Sequence, residues 1–153
     1  MIYRAIVEYK LRSSFAAINR GDYAPAIAAF APNAEHIFFG DHALGGARRS
    51  PQGVARWYRR LQALLPDLRF DIQSIAVSGP PWNTRAFVEW RDSFTLRSGE
   101  PAGNQGVHAF TLKWGKVTSL RIYCDTDVLQ RALQTQAQHG VTEASAAPIG
   151  ARA

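Results

Sequence analysis

The sequence predicts an α+β fold in which N-terminal helices pack in the concave face of a strongly curved, mainly antiparallel sheet. Apolar residues recur at helical spacing in the first half of the chain. From Leu68 onward, the pattern changes to strands rich in aromatic and β-branched residues, separated by turns that contain glycine or proline. Helices followed by a meander of long strands are typical of helices packed on one face of a single sheet, and long strands must twist and curve.

The N-terminal quarter of the chain predicts two helices and a short strand. The first helix carries four apolar residues on one face and ends before a capping glycine: Val7, Leu11, Phe15, Ile18 and Gly21. A second, short helix begins at Asp22 and continues to about Phe30, with Pro25 in its first turn. A turn at residues 32–33 and a strand over residues 34–39 follow.

The third helix has the clearest pattern. Ser50 and Pro51 suit the cap and the first helical position, and Pro66 ends the helix. Its apolar face is formed by Val54, Trp57, Tyr58, Leu61, Leu64 and Leu65. We then predict four strands over residues 68–78, 82–96, 104–114 and 117–125, followed by an amphipathic helix.

Length and composition predict one domain. The chain has 153 residues, of which 46% are hydrophobic, which is enough for one core. We predict a single domain over residues 1–136 and a flexible C-terminal tail over 137–153, where small and polar residues dominate. The single cysteine excludes a disulfide framework, and we expect Cys124 to be a reduced, buried thiol.

Charge and hydropathy limit the classes of partner. The net charge of +6 permits an acidic partner, but no nucleic-acid motif accompanies the arginines. No stretch reaches the roughly 18 apolar residues of a membrane span. Charges at Arg4, Glu8 and Lys10 interrupt any signal-peptide pattern. We therefore expect a soluble cytoplasmic protein that binds neither nucleic acid nor membrane.

This order of elements resembles the NTF2-like superfamily, and within it the SnoaL-like branch related to polyketide cyclases. The resemblance runs from about Phe15 to Leu133, through the segments FAAINRGDYAPAIAAFAPNAEHIFFGDHALGG, SPQGVARWYRRLQALLPDLRF, AFVEWRDSF, NQGVHAFTLKWGKV and LRIYCDTDVLQRAL. It implies an NTF2-like cone and a homodimer through the sheet. The superfamily includes isomerases, epoxide hydrolases, cyclases, dehydratases and non-enzymatic transport factors, so the fold does not select the reaction.

Asp125 is the first candidate catalytic residue. The acid/base aspartate of SnoaL-like cyclases stands in a Tyr-x-Asp context, which this chain matches with Tyr123, Cys124 and Asp125. A carboxylate in an apolar cavity can move a proton on and off carbon. The alternative is that Asp125 caps the last helix, with its oxygens engaged by backbone N–H groups.

His108 is the second candidate. It shares a strand face with Asn104, so both are predicted to line the concavity. A neutral imidazole there, with Asn104 or Tyr123, would hold the oxygen of a developing enolate. The alternative is a core histidine that hydrogen-bonds to a neighbour.

Four further residues are predicted to contact substrate: Tyr58, His36, Trp90 and Trp82. Trp90 shares a strand face with Phe94, whereas Glu89 and Arg91 share the other. Either face could line the cavity, and a register based on Asp92 stays open because a slip of one residue exchanges the faces. His36 and His42 have no third ligand at a regular spacing, so we predict no metal and no cofactor.

These observations favour a SnoaL-like enzyme that carries out cofactor-free acid/base chemistry on an apolar, carbonyl-containing substrate: isomerisation, aldol-type cyclisation or dehydration. One alternative is a non-catalytic module that binds an apolar small molecule. Another is an epoxide hydrolase-like activity, which is weakened by two departures from that family's pattern. The chain has Glu-x-Arg where those enzymes keep Arg-x-Asp, and Ile122 where they place a second carboxylate.

Overall fold

The computed structural model describes all residues from Met1 to Ala153. Its four helices are α1 (Ile2–Asn19), α2 (Ala24–Ala28), α3 (Pro51–Leu64) and α4 (Thr126–Gln138). Its six strands are β1 (Phe30–Phe38), β2 (Gly46–Arg48), β3 (Arg69–Ser78), β4 (Thr84–Thr95), β5 (Pro101–Lys113) and β6 (Lys116–Cys124). A 3₁₀ turn (Thr142–Ser145) follows α4. None of the helices combines the length and the apolar character needed to cross a membrane.

The six strands form one sheet in the order β2-β1-β6-β5-β4-β3. Four of the five pairings between neighbouring strands are antiparallel, and the pairing of β1 with β6 is parallel, which aligns His36 with Leu120. The predicted α+β fold is therefore confirmed, with one parallel junction in a mainly antiparallel sheet.

Helix α3 forms as predicted. The Ser50 side chain accepts a hydrogen bond from the Gly53 N–H at 3.1 Å, and Pro51 occupies the first turn. The Ser50 side chain thus provides an acceptor for one of the free N–H groups in the first turn of the helix, and Pro51 has no N–H that would need an acceptor. The apolar face of α3, including Trp57 and Leu61, is buried.

The core lies between the helices and the inner face of the sheet. It is a cluster of 31 buried hydrophobic residues drawn from α1, α3, α4 and the strands. Along β4, Ala86, Val88, Trp90 and Phe94 are buried and Asp92 is partly buried, whereas the residues of opposite parity are exposed. This alternation identifies the face of β4 that points inward.

Strand β1 begins earlier than predicted. Residues 32–33 lie inside β1 rather than in a turn, in a stretch where the pairing with β6 shifts register between Phe30 and Glu35. Proline cannot donate to a strand ladder, so Pro32 is tolerated where the ladder is interrupted. Two other elements also differ: α2 ends at Ala28, before the predicted end near Phe30, and a short strand, β2, lies between β1 and α3.

The C-terminal segment packs against the domain, unlike the predicted flexible tail. Arg48 donates to the Ile149 carbonyl at 2.9 Å, and Arg60 donates to the Ala147 carbonyl at 2.7 Å. Arg60 also forms a 2.7 Å ion pair with Glu143. Both arginines are buried, and a buried guanidinium requires acceptors, which the carbonyls of this segment supply.

Candidate functional site

Two hollows lie beneath the sheet, at opposite ends of β5. The larger, which we call the α1 hollow, has a volume of about 130 Å³ and lies between α1, α2 and the β5–β6 turn, with Val7, Leu11, Phe110 and Leu112 among its lining residues. The smaller, the acid hollow, has about 40 Å³ and is lined by residues that include Phe70, Trp90, Asp92, Asn104 and Cys124. Ile18, Tyr58 and His108 line both. The two hollows therefore meet at a shared wall.

Asp92 is the carboxylic acid of the acid hollow. Its Oδ1 accepts a hydrogen bond from the Asn104 N–H at 2.6 Å, and its strand position is opposite Asn104. Burial raises the pKa of Asp92 to about 6, although the Asn104 N–H opposes that shift. A carboxyl group with such a pKa can both accept and return a proton near neutral pH.

His108 is a neutral histidine with a defined tautomer. The Trp90 indole N–H donates to His108 Nδ1 at 2.7 Å. Because an indole nitrogen can only donate, Nδ1 must be the acceptor, and the proton of the neutral ring lies on Nε2. Burial lowers the pKa of His108 to about 3, so the ring stays uncharged at neutral pH.

Trp90 reaches His108 because the neighbouring strand carries a glycine. An added Cβ at Gly106 would lie 2.7 Å from the Trp90 ring and 2.1 Å from the Tyr123 carbonyl oxygen. No side chain fits at that position without displacing the indole. Gly106 therefore contributes to the placement of His108 through Trp90.

Cys124 and Asn104 complete the polar wall of the acid hollow. Cys124 is partly buried, and burial raises the pKa of its thiol to about 12, with the charges of Asp92 and Asp125 adding to the shift. The thiol is therefore protonated at neutral pH and is a poor nucleophile. The Asn104 side-chain amide donates to the Asp125 carbonyl at 2.9 Å, which ties β5 to the end of β6.

Tyr58 faces both hollows, whereas His36 lies outside their linings. Tyr58 is buried, and burial raises the pKa of its phenol, which stays protonated. His36 is fully buried beside Tyr58, with 5.7 Å between ring centroids. Its Nδ1 accepts from Arg48 at 3.1 Å, and its Nε2 has no partner. Burial lowers the pKa of His36 well below 6.5, so its ring is also neutral.

Asp125 lines neither of the two hollows, contrary to the predicted cavity position. It is exposed, and its side chain accepts from the Val128 N–H at 3.2 Å as the cap of α4. The capping alternative describes this geometry. Because β6 side chains alternate, the inward positions near its end are Ile122 and Cys124, and Asp125 follows the strand at its surface end.

Tyr123 and Trp82 also lie away from the hollows. Tyr123 is 47% exposed on the outer face, where it stacks on Phe39 at 4.9 Å between centroids. Trp82 is 58% exposed in the β3–β4 turn and lies 5.9 Å from the ring of Trp114. Tyr123 has the opposite strand parity to Ile122, so it cannot share the cavity face with the inward residues of β6.

The orientation of β4 shows which of its two faces lines the cavity, a question that the sequence left open. Glu89 and Arg91 are exposed on the outer face, whereas Trp90 is buried. Asp92 has the same parity as Trp90, and this shared parity is the signal in the sequence that could have identified the acid. Ile122 is 1% exposed and occupies the inner wall. The hollow therefore holds one carboxyl group, without a facing arginine.

Comparison with known proteins identifies the family to which this chain belongs. The model of the SnoaL-like domain matches residues 11–120. No curated protein matches the chain in sequence.

Several solved structures share the fold. An NTF2-like protein of unknown function from Burkholderia pseudomallei is 22% identical, with a TM-score of 0.73 over 82% of this chain and 95% of that one. TerC, co-crystallised with polyporic acid, is 19% identical, with a TM-score of 0.70 over 84% and 98%. A proposed SnoaL-like polyketide cyclase from a Jannaschia species is 18% identical, with a TM-score of 0.65 over 84% and 90%. From the family match and this shared fold, the chain belongs to the SnoaL-like family and has the NTF2-like fold.

Proposed function

We propose that this protein is an enzyme that transfers a proton at carbon in an apolar, carbonyl-containing small molecule, without a cofactor. Asp92 acts as the acid/base, and His108 binds the carbonyl oxygen. The observation that carries the proposal is Asp92: a largely buried carboxyl group with a pKa of about 6 that lines the same hollow as a neutral histidine.

The reaction follows from the two side chains. The Asp92 carboxylate removes a proton from the carbon next to the carbonyl group, the electron pair of the C–H bond forms a C=C bond, and the π pair of the carbonyl group moves to its oxygen. The Nε2–H of His108 donates a hydrogen bond to the resulting enolate oxygen. Asp92 then returns its proton to a different carbon in an isomerisation. In an aldol-type cyclisation, the enolate carbon instead attacks a second carbonyl group, and Asp92 gives its proton to the resulting alkoxide.

Deuterium exchange tests this proposal before the natural substrate is known. We expect the protein to accelerate the exchange of α-hydrogens of an apolar ketone, such as 2-tetralone, in deuterated buffer, measured by mass spectrometry. Asp92→Asn should lower the enzyme-dependent rate by roughly 100-fold or more, because a positioned acid/base contributes about 10²–10⁴-fold.

Asp125→Asn is the matched control. It makes the same chemical change in an exposed residue that caps α4. Its exchange rate should equal that of the wild type. Loss of exchange in Asp125→Asn with full exchange in Asp92→Asn would contradict the assignment and restore the acid predicted from the sequence.

A non-catalytic binding module is the second candidate. The α1 hollow is larger than the acid hollow and mainly apolar, which suits binding without chemistry. Under this function, the wild type and Asp92→Asn would bind an apolar ketone equally well, and neither would accelerate exchange. An epoxide hydrolase-like activity has less support, because Glu89 and Arg91 are on the outer face.

We also propose that the protein forms a homodimer through the outer face of its sheet. Phe87 is 42% exposed and Tyr123 is 47% exposed on this face, which leaves apolar area for a partner copy. Sedimentation analysis of the wild type and of Phe87→Glu tests this proposal. The variant should sediment as a monomer if the face is the interface.

A further inference from the structure

We infer that the ligand of the α1 hollow carries an anionic group, which Lys10 binds at the mouth while the apolar part of the ligand fills the hollow. This inference rests on the proposed function, since it specifies the class of molecule that would reach His108, which lines both hollows. The ligand class is thus an apolar ring or short alkyl unit with a carboxylate or similar anion at one end.

The charge around the hollow is of one sign. Lys10 lines the α1 hollow, and no acidic residue does. Glu8, the acidic residue nearest to it in α1, is engaged by Arg12 at 2.9 Å. An ammonium group at the rim of an apolar site attracts an anion and disfavours a cation.

Two further lysines are neighbours of the lining residue Gly115. Gly115 lines the hollow, and Lys113 and Lys116 flank it in the β5–β6 turn, both exposed. The Lys116 ammonium donates to the Ala28 carbonyl at 3.0 Å, beside the lining residue Ala29. Cations therefore stand on two sides of the opening.

The apolar interior limits the size of the ligand. Thirteen of the 17 residues that line the α1 hollow are hydrophobic. Its volume of about 130 Å³ is close to that of an apolar protein cavity of ~150 Å³ that binds benzene. One ring or a short alkyl chain fits a space of that size, and a longer ligand would extend out through the mouth towards Lys10.

Exposed apolar residues surround the mouth. Ile6 is a lining residue and is 47% exposed. Trp114 is 66% exposed next to Gly115 and has a φ of 52°, which is uncommon for a non-glycine residue. Ile6 can therefore contact the part of an apolar ligand that remains outside the hollow, whereas Trp114 is outside the lining and its ring lies 5.9 Å from that of Trp82.

The inner end of the hollow supplies the complementary polar contact. Tyr58 and His108 stand there, and the Nε2–H of His108 is a donor that makes no hydrogen bond within the protein. A ligand with a carbonyl group at one end and an anion at the other would meet donors at both ends.

Binding of octanoate and of its neutral counterpart octanamide tests the inference by calorimetry at low ionic strength. We expect octanoate to bind the wild type about fivefold more tightly, the ratio that corresponds to one partly exposed ion pair. Lys10→Met should remove this preference, whereas Lys10→Arg should keep it. Arg59→Met is the matched control, because it removes the same charge from an exposed position on α3.

The outcomes separate the two proposals. A preference for octanoate that Lys10→Met abolishes and Arg59→Met retains supports the inference. Equal binding of the two probes by the wild type, or an unchanged preference in Lys10→Met, overturns it and leaves the hollow as a site for neutral ligands under the proposed function. If neither probe binds, the α1 hollow is not a ligand site, and both the inference and the binding step of the proposed function fail.

Discussion

The α1 hollow and the acid hollow offer a ligand different surroundings, although β1, β5 and β6 contribute to both. The α1 hollow is mainly apolar, with Lys10 at its rim, and it suits binding. The acid hollow is smaller and contains the carboxyl group of Asp92, which suits proton transfer. His108 lies in the wall between them. Under the proposed function, binding and chemistry use different parts of the cone, and the Nε2–H of His108 is the donor left for a ligand because Nδ1 is occupied by Trp90.

The largest effect that we expect from the acid hollow is a pH dependence of the free energy of unfolding, which is caused by Asp92. The folded-state pKa of Asp92, about 6, is above the ordinary value of 3.8. The folded protein therefore binds this proton more tightly than the unfolded chain. The stabilisation is complete below about pH 4 and is lost as the pH rises through 6, and it amounts to roughly 2 to 3 kcal/mol.

Urea denaturation of the wild type and Asp92→Asn from pH 4 to pH 8 measures this contribution. The asparagine variant cannot titrate at this position, so the difference in unfolding free energy between the two proteins isolates Asp92. We expect the wild type to lose stability relative to the variant as the pH rises. A constant difference across this range would show that Asp92 is solvated, and the contrast between the hollows would disappear.

Trp90→Phe changes the wall that the hollows share. Phenylalanine keeps the ring but removes the N–H that donates to His108 Nδ1. The proton of the neutral imidazole is then free to occupy either nitrogen, so the Nε2 donor is only partly available. We expect ketone exchange to fall about tenfold, by analogy with the loss of a second partner that orients a histidine.

Nitrogen chemical shifts of His108 distinguish orientation from simple packing. The wild type should show one tautomer, with the proton on Nε2, and Trp90→Phe should show a mixture. A slower reaction with an unchanged tautomer would mean that Trp90 acts by packing alone.

Asp125→Ala has the smallest expected effect. The substitution removes the carboxylate that accepts from the Val128 N–H at the start of α4. Loss of a helix cap costs about 1 kcal/mol of stability. Thermal denaturation should show this loss, with ketone exchange unchanged. A large loss of exchange without a change in stability would place a functional acid outside both hollows.

The contrast between Asp92 and Asp125 shows how much of the site the sequence could predict. Strand alternation orders the inward residues correctly, since Trp90 and His108 both face the core, and Asp92 shares the parity of Trp90. The choice between a catalytic and a capping Asp125 depends on where a strand ends relative to the sheet. That position is set by contacts between distant residues, such as the Asn104 amide on the Asp125 carbonyl.

The C-terminal segment illustrates the same limit. Its composition is typical of a mobile tail, yet its carbonyl groups satisfy two buried arginines that lie about a hundred residues earlier in the chain, as in the contact of Arg48 with Ile149. Local patterns predicted α3 and its Ser50 cap well, because those contacts lie within one helical turn. Contacts between residues that are far apart in the sequence, such as that of Arg48 with Ile149, leave no pattern in the neighbouring residues from which they could be predicted.

The parallel ladder between β1 and β6 has a consequence for the synthesis of the chain. β1 aligns His36 with Leu120, so its partner leaves the ribosome only when most of the protein has been made. Until then, the apolar faces of α1 and α3 have no complete sheet to cover them. The sheet therefore cannot close stepwise from the first residue of the chain, because β1 gains its second neighbour only after β6 has been made.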